Sequence, residues 1–418
     1  MSSVAKVIRH APSESMDAAE RDELMKVCHE LAEEFAGRAD DYDRHSKFPV
    51  ENFEKLKENN LLAIMIPKEY GGWGADFLTY TKALEILATG DSATALSYNM
   101  HNIMVGSIAE VPEAEGDDKR ASAANDFRSW VYGEVVKNKK VFASATSEPG
   151  IGAHVSHLKT EYERTDEGFV VNGVKSFVSM GGYADYYVVA AKAARSKSKT
   201  PAVSFLIVDR DAEGVTMKNI WDVLGMRSTS TNPVTFKDVL VPKSRLFLAS
   251  EGLALYKIAR EPHWLVGGYV GVYLGIMTAT FDFLVDYMQN KNKPGSDTPL
   301  SQDPVVQHQT GQLYSDLQSA RLAVYHAARL VDTARGSDEA NAAVHHAKYL
   351  VSEGGPKMTA MAIRMCGATT LARRFPLERL YRDSRCGALM PASSDDCLSY
   401  IGKAAYGTNL KNPIETYW

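Results

Sequence analysis

Residues 142–187 read FASATSEPGIGAHVSHLKTEYERTDEGFVVNGVKSFVSMGGYADYY. The first part, Thr146-Ser147-Glu148-Pro149-Gly150-Ile151-Gly152, sets hydroxyls and glycines around one proline. Glycine lets backbone N–H groups come close to a flat or anionic ligand, and proline stiffens the loop by fixing φ. A polar interval follows, then an alternation with period two through Phe169 and Val171. The pair Asn172-Gly173 between apolar alternations predicts a tight hairpin. Residues 175–179 read as the returning strand, closed by Met180-Gly181-Gly182. Two loops bracketing a hairpin can frame one planar ligand. The same residues also read as ordinary turns of an all-β insert.

Taken as a whole, the order of this stretch resembles the middle domain of the acyl-CoA dehydrogenase family. That pattern runs T-E-P-x-x-G-S-D, then x-N-G-x-K-x-W-I-T-N-G-x-x-A-D. Here it reads SEPGIGAH over 147–154 and VNGVKSFVSMGGYAD over 171–185.

Outward from this stretch the text is helical. Toward the N-terminus, Asp17 and Glu20 form a helix-start signal, and Leu24, Cys28, Leu31 and Phe35 recur at helical spacing. Further helices are predicted over 49–59, 78–87, 92–111 and 123–137. The glycine-rich loop at 66–74 lacks the terminal Lys-Ser/Thr of a phosphate loop and reads as structural. It is similar to the family's P-E-x-Y-G-G-x-G link. His101 reads first as a satisfied core histidine, and the resemblance also makes it a candidate pocket wall.

Toward the C-terminus, strands are predicted over 186–191, 202–208, 215–220 and 233–239, with a basic, Ser-rich turn at 194–201. Residues 254–290 read as one helix whose Gly267, Gly268, Gly271 and Gly275 allow close helix–helix approach. Long helices follow over 305–334 and 339–365. Helices, strands, then helices predict an α+β fold with a central β domain. The expected boundaries are a flexible tail at 1–17, an N-terminal helical domain at 18–139, a β-barrel or sandwich domain at 140–248, and a four-helix-type domain at 249–418.

The 418 residues suit two or three domains. With 45% hydrophobic and 24% charged residues the composition is that of a globular protein, and a net charge of −5 gives no footprint for nucleic acid. No apolar run is read as approaching the ~20 residues of a membrane span, and no secretory signal is read at the N-terminus. Cys28, Cys366, Cys386 and Cys397 have no metal-type spacing, so reduced thiols, a cytoplasmic location and no metal site are expected.

The resemblance implies a flavin, FAD, held at the β face. Its ring contacts map to Ala145, Ser147 and Ser179, with Phe177 as the aromatic wall, the Ser179 hydroxyl near flavin N5, and Gly152 a further cofactor contact. Ala153 stands where a serine usually meets the pyrophosphate. Gln309, with Gln312, is implied on the adenine side, Ser393 as a further cofactor contact, and Lys291 or Lys293 in place of an arginine from a neighbouring subunit. The resemblance also implies a homotetramer, an acyl-CoA substrate, and an electron-transfer flavoprotein as electron acceptor.

The family's Y-P-x-E-R-x-x-R-D signature is matched at 375–383, where Arg382 and Asp383 are expected to pair structurally. The family's usual catalytic glutamate falls on Pro391. Some members carry the base on the helix after the β domain, which gives Glu261 by one register and Leu265 by another, with His263 a lesser candidate. On one continuous helix, residues four apart share a face. Glu261 as base predicts α,β-dehydrogenation of an acyl-CoA thioester. Absence of the base predicts instead a two-component monooxygenase supplied with reduced FMN or FAD by a reductase. A non-catalytic flavin scaffold is a third reading.

Overall fold

The computed structural model describes residues 16–115, 119–194 and 202–416. Most of the expected tail and of the Ser-rich turn therefore lies outside the described residues, although Met16 is buried and Asp17 already caps a helix.

Five helices lead: α1 (Ala18–His45), α2 (Val50–Glu58), α3 (Phe77–Gly90), α4 (Ser92–Ala109) and α5 (Lys119–Val136). The strands are β1 (Phe142–Ala145), β2 (Glu161–Arg164), β3 (Gly168–Val178), β4 (Tyr186–Ala193), β5 (Val203–Asp209), β6 (Val215–Met217) and β7 (Asn232–Pro242). They form one curled sheet in the order β1-β4-β2-β3-β7-β6, with β5 also on β4. The pairs β1–β4 and β2–β4 are parallel and the others antiparallel. The last helices are α6 (Ala254–Arg260), α7 (His263–Val266), α8 (Gly268–Asn290), α9 (Pro304–Ala334), α10 (Asp338–Cys366), α11 (Leu377–Ser384) and α12 (Ser394–Ala405). The α+β reading holds.

Local chemistry explains these elements. Asp17 accepts the Glu20 N–H at 2.9 Å while the Glu20 carboxylate accepts the Asp17 N–H at 2.8 Å, a reciprocal cap on α1. The glycine face of α8 lies on α3. A Cβ at Gly271 would sit 2.7 Å from the Thr81 carbonyl, and one at Gly275 would sit 2.4 Å from that of Glu85. The 66–74 loop is structural, since a Cβ at Gly72 would fall 2.0 Å from the Ile66 carbonyl oxygen.

Four expectations need correction. Asn172-Gly173 is not a hairpin turn but lies inside β3. Opposite the single residue Asn172, β7 carries two, Lys237 and Asp238, so the register shifts. Gly173 is required by close approach, because a Cβ there would be 2.4 Å from Thr160 Oγ1. The Asn172 amide spends its polar groups on Asp238, at 3.1 and 2.9 Å.

Residues 254–290 are not one helix. Pro262 disfavours helical backbone at the residue before it, and Glu261 is accordingly non-helical, at φ −134° and ψ 69°. Glu261 and Leu265 therefore do not share a face of one helix.

Arg382 and Asp383 do not pair with each other. Arg382 binds Asp43 at 2.6 Å and Glu378 at 2.8 Å. Asp383 accepts from Ser92 Oγ and from the Met226 N–H, each at 2.6 Å.

Residues 263–290 are, by length and composition alone, apolar enough to cross a membrane. Most of this segment is buried, with α8 packed against α3 and α10, as a core helix of a folded domain would be.

Candidate functional site

A cavity of about 440 Å³ opens where the β domain meets both helical domains. Its β wall is Ser144, Thr146, Ser147, Gly152 and Ala153, continued by Phe177, Ser179 and Thr231. Met100 and Ile103 of α4 face it from the N-terminal domain. Leu265, Tyr269, Arg385, Cys386, Leu389, Met390 and Pro391 close it from the C-terminal side. Trp221 and the 223–226 loop complete the wall.

The sequence explains each part of the β wall. Side chains alternate along β1, so Ser144 and Thr146 face the cavity while Ala145 is fully buried. Of the predicted ring contacts, Ala145 is therefore the one that does not line the cavity. The following loop is anchored by a buried ion pair, with Lys175 Nζ 2.8 Å from Glu148 Oε1 and neither side chain more than 2% exposed. Glu148 also accepts the N–H groups of Lys159 and Thr160, at 2.7 and 2.9 Å. Burial works against the Glu148 charge, but Lys175 and these donors outweigh it and hold the carboxyl below its ordinary range.

Phe177 is 63% exposed and meets Trp221 edge to face. It has φ +54°, where a side chain is strained. The cause lies across the sheet, where Ser176 and Phe177 together oppose Pro233 of β7. Proline has no N–H for the ladder, and the resulting bulge turns Phe177 out over the cavity. Ser179 Oγ lies 2.9 Å from Thr231 Oγ1, and both residues line the cavity.

Glu261 is elsewhere. It lines a smaller cavity of about 50 Å³, which shares Ile103, Ser144, Thr146 and Leu265 with the large one. Its carboxylate is 3.4 Å from Lys257 Nζ and 3.6 Å from Arg260 Nε. His263 is committed to Glu110, with Nε2 at 2.7 Å. Burial works to raise the Glu110 pKa, but His263, Lys257 and Arg335 hold it far below the usual carboxylate range. Among the described residues lining the large cavity there is no Asp, Glu or His, and the one charged group is Arg385. Burial pushes the Cys386 thiol up to about 12, so it is neutral.

Three further expectations fall outside the cavity. Ser393 caps α12, accepting the Asp396 N–H at 3.1 Å and giving its own proton to the Asp396 carboxylate at 2.6 Å. It is a capping residue, not a cavity wall. Gln309 and Gln312 lie on α9, and neither lines the cavity. His101 is the satisfied core histidine. Nε2–H donates to the Leu62 carbonyl at 2.9 Å and Nδ1 accepts the Phe142 N–H at 3.1 Å.

Models of the N-terminal, middle and C-terminal domains of acyl-CoA dehydrogenases match residues 18–117, 143–239 and 268–404. The chain belongs to the acyl-CoA dehydrogenase family. It is 29% identical to the mouse (Mus musculus) mitochondrial short-chain specific acyl-CoA dehydrogenase, over 92% of this chain and 90% of that one. Its fold is that of butyryl-CoA dehydrogenase from Megasphaera elsdenii, with TM-score 0.80 and 24% identity over 94% of this chain and 100% of that one. It is also that of dibenzothiophene monooxygenase from Paenibacillus sp. A11-2, with TM-score 0.78 and 21% identity over 92% and 97%.

The family is one of flavin-dependent oxidoreductases that bind FAD. The residues fit the ring of that cofactor. An exposed aromatic faces a wall of neutral hydroxyls and glycine backbone, which suits a flat heterocycle with alternating donors and acceptors. Two prolines in the sequence mark the departures from regular structure that shape this site. Pro233 marks the bulge at Phe177, and Pro262 marks the break at Glu261.

Proposed function

We propose that this chain is a two-component flavin monooxygenase built on the acyl-CoA dehydrogenase fold. It takes reduced flavin from a separate reductase and places one oxygen atom on a carbon, nitrogen or sulfur of an apolar small molecule. The observation that carries the reading is the lining of the large cavity. Pro391, at the usual base position, and Leu265, at the alternative one by one of the two registers, both line it, and among the described residues no carboxylate does. Removal of an α-proton from a thioester needs a base within hydrogen-bond reach of that proton.

Bound reduced flavin supplies the two electrons that activate O₂. The chain's own residues do the rest. Ser179 and Thr231 would hold the edge of the ring through their oxygen atoms, and Phe177 and Trp221 would cover its open side. Met100, Ile103, Leu265, Leu389 and Met390 give the substrate an apolar wall and exclude water. The name and FMN-bound form of the Paenibacillus enzyme support this reading. A homotetramer in the cytoplasm belongs to it as well.

A second reading keeps the dehydrogenase. Glu261 borders a small space continuous in its walls with the large one, and a shift of Lys257 and Arg260 would release its carboxylate. The test is one experiment with two arms. Protein with reduced flavin, labelled O₂ and a panel of aromatic heterocycles and organosulfur compounds is expected to yield singly labelled product. Anaerobic bleaching of oxidised holoprotein by any acyl-CoA, lost in Glu261→Gln, would establish the dehydrogenase instead.

A further inference from the structure

We infer that a relay of three hydroxyls makes Ser179 a hydrogen-bond acceptor only, so that the cavity favours flavin in its reduced form. The inference rests on the flavin reading of the cavity. It is argued from proton accounting, since a serine or threonine hydroxyl has one proton to donate.

The relay begins at a carbonyl. Thr229 Oγ1 lies 2.9 Å from the Met226 carbonyl oxygen, which cannot donate, so the Thr229 proton lies between them. Thr229 is fully buried, and a bare contact between two oxygens at that distance would set lone pair against lone pair. The same carbonyl also receives the Trp221 indole N–H at 3.1 Å and the Thr229 N–H at 3.2 Å, which fixes its position.

The next link is Thr229 Oγ1 to Thr231 Oγ1, at 2.7 Å. With the Thr229 proton already used, Thr231 must donate here. The last link is Thr231 Oγ1 to Ser179 Oγ, at 2.9 Å. With the Thr231 proton used in turn, Ser179 must donate. Its proton therefore points along the sheet to Thr231, and only lone pairs remain for the cavity it lines.

Flavin N5 distinguishes the two redox states. It carries no proton when oxidised and is a pure acceptor, whereas reduction adds an N–H. By the family resemblance, residue 179 is the hydroxyl at this atom. An acceptor-only Ser179 bonds the reduced ring and opposes the oxidised one. A donor-capable hydroxyl would reverse that order. Thr229, which does not touch the cavity, is thus a positioning residue that sets the polarity of Ser179.

The test compares binding of oxidised FMN and FAD with binding of the same flavins reduced by dithionite, by anaerobic ultrafiltration. Wild type is expected to bind the reduced form about tenfold tighter or more, which raises the two-electron potential of bound flavin by about 30 mV per tenfold. Thr229→Val is nearly isosteric, and it frees the Thr231 proton for Ser179 and the Ser179 proton for the cavity. Its preference should fall at least severalfold, and Thr229→Ser should restore it. Flavin bound equally in both states by wild type, or a ratio unmoved in Thr229→Val, overturns the relay while leaving the flavin reading in place. A protein that binds neither state overturns both.

Discussion

Lys175 Nζ and Glu148 Oε1 lie 2.8 Å apart with both side chains out of contact with solvent, and this pair ties the hydroxyl-rich loop to β3. Lys175 also donates to the Thr146 carbonyl at 3.1 Å, so one ammonium holds this loop at two points. Burial pushes its pKa down to about 8, although Glu148 opposes that shift.

Removing one member of a buried pair strands the other charge. Lys175→Met is expected to lower unfolding stability by about 3–5 kcal/mol. The double variant Lys175→Met with Glu148→Gln should recover part of that loss. Urea unfolding at pH 7 measures both, and a single variant as stable as wild type would show that the loop is held in some other way.

Glu261→Gln separates the two reactions. For an oxygenase, turnover with reduced flavin and O₂ should stay within about twofold of wild type, since the carboxylate makes no contact in the large cavity. A loss of two or more orders of magnitude would give Glu261 a direct part in the chemistry.

His101 carries a pH signature. Burial pushes its pKa down to about 4 from an ordinary 6.5. Between those values the unfolded chain binds the extra proton and the folded chain does not. The stability due to neutral His101 is therefore full above pH 6.5 and is lost as pH falls toward 4. A His101→Gln variant should be less stable than wild type at pH 8, with a deficit that shrinks as pH drops through this window. A deficit that stays constant with pH would mean that the ring is not held neutral.

Much of this architecture is legible in the sequence because its signals are local. The Asp17–Glu20 cap, the glycine face of α8 and the order of elements each follow from spacing within one or two turns. Structure and expectation part where a local signal is outvoted by contacts distant in sequence. Asn172-Gly173 is a sound hairpin signal, but the glycine answers to Thr160, in the segment leading into β2, and only the folded sheet reveals that contact. The long apolar periodicity around Pro262 reads as an unbroken helix, but the proline breaks it at Glu261. His263 is held by Glu110, which also takes Lys257 and Arg335, and spacing cannot bring these separate parts of the chain together. Ser393 followed from the motif alignment alone, and the sequence Ser393-Ser394-Asp395-Asp396 already spelled a helix cap.

The contact between Asp383 and the Met226 N–H gives the last prediction, because it joins α11 to the loop that covers the cavity. Burial pushes the Asp383 pKa up to about 6, outweighing the donors Ser92 and Met226 and the nearby Arg379. With a folded pKa above the unfolded one, the folded chain binds more protons between about pH 4 and 6. Stability due to this group therefore falls as pH rises through that window, and at pH 8 the buried charge is a net cost. Asparagine keeps an oxygen for the Met226 N–H, and the Ser92 hydroxyl can turn to accept from the new amide. Asp383→Asn should then match or exceed wild-type stability at pH 8, with its advantage gone below pH 4. Asp383→Ala leaves the Met226 N–H without its acceptor, at a cost of about 1–3 kcal/mol, and loosens the loop over the cavity. It should weaken flavin binding, whereas Asp383→Asn should not. If both variants bind flavin like wild type, then α11 does not set the position of the loop.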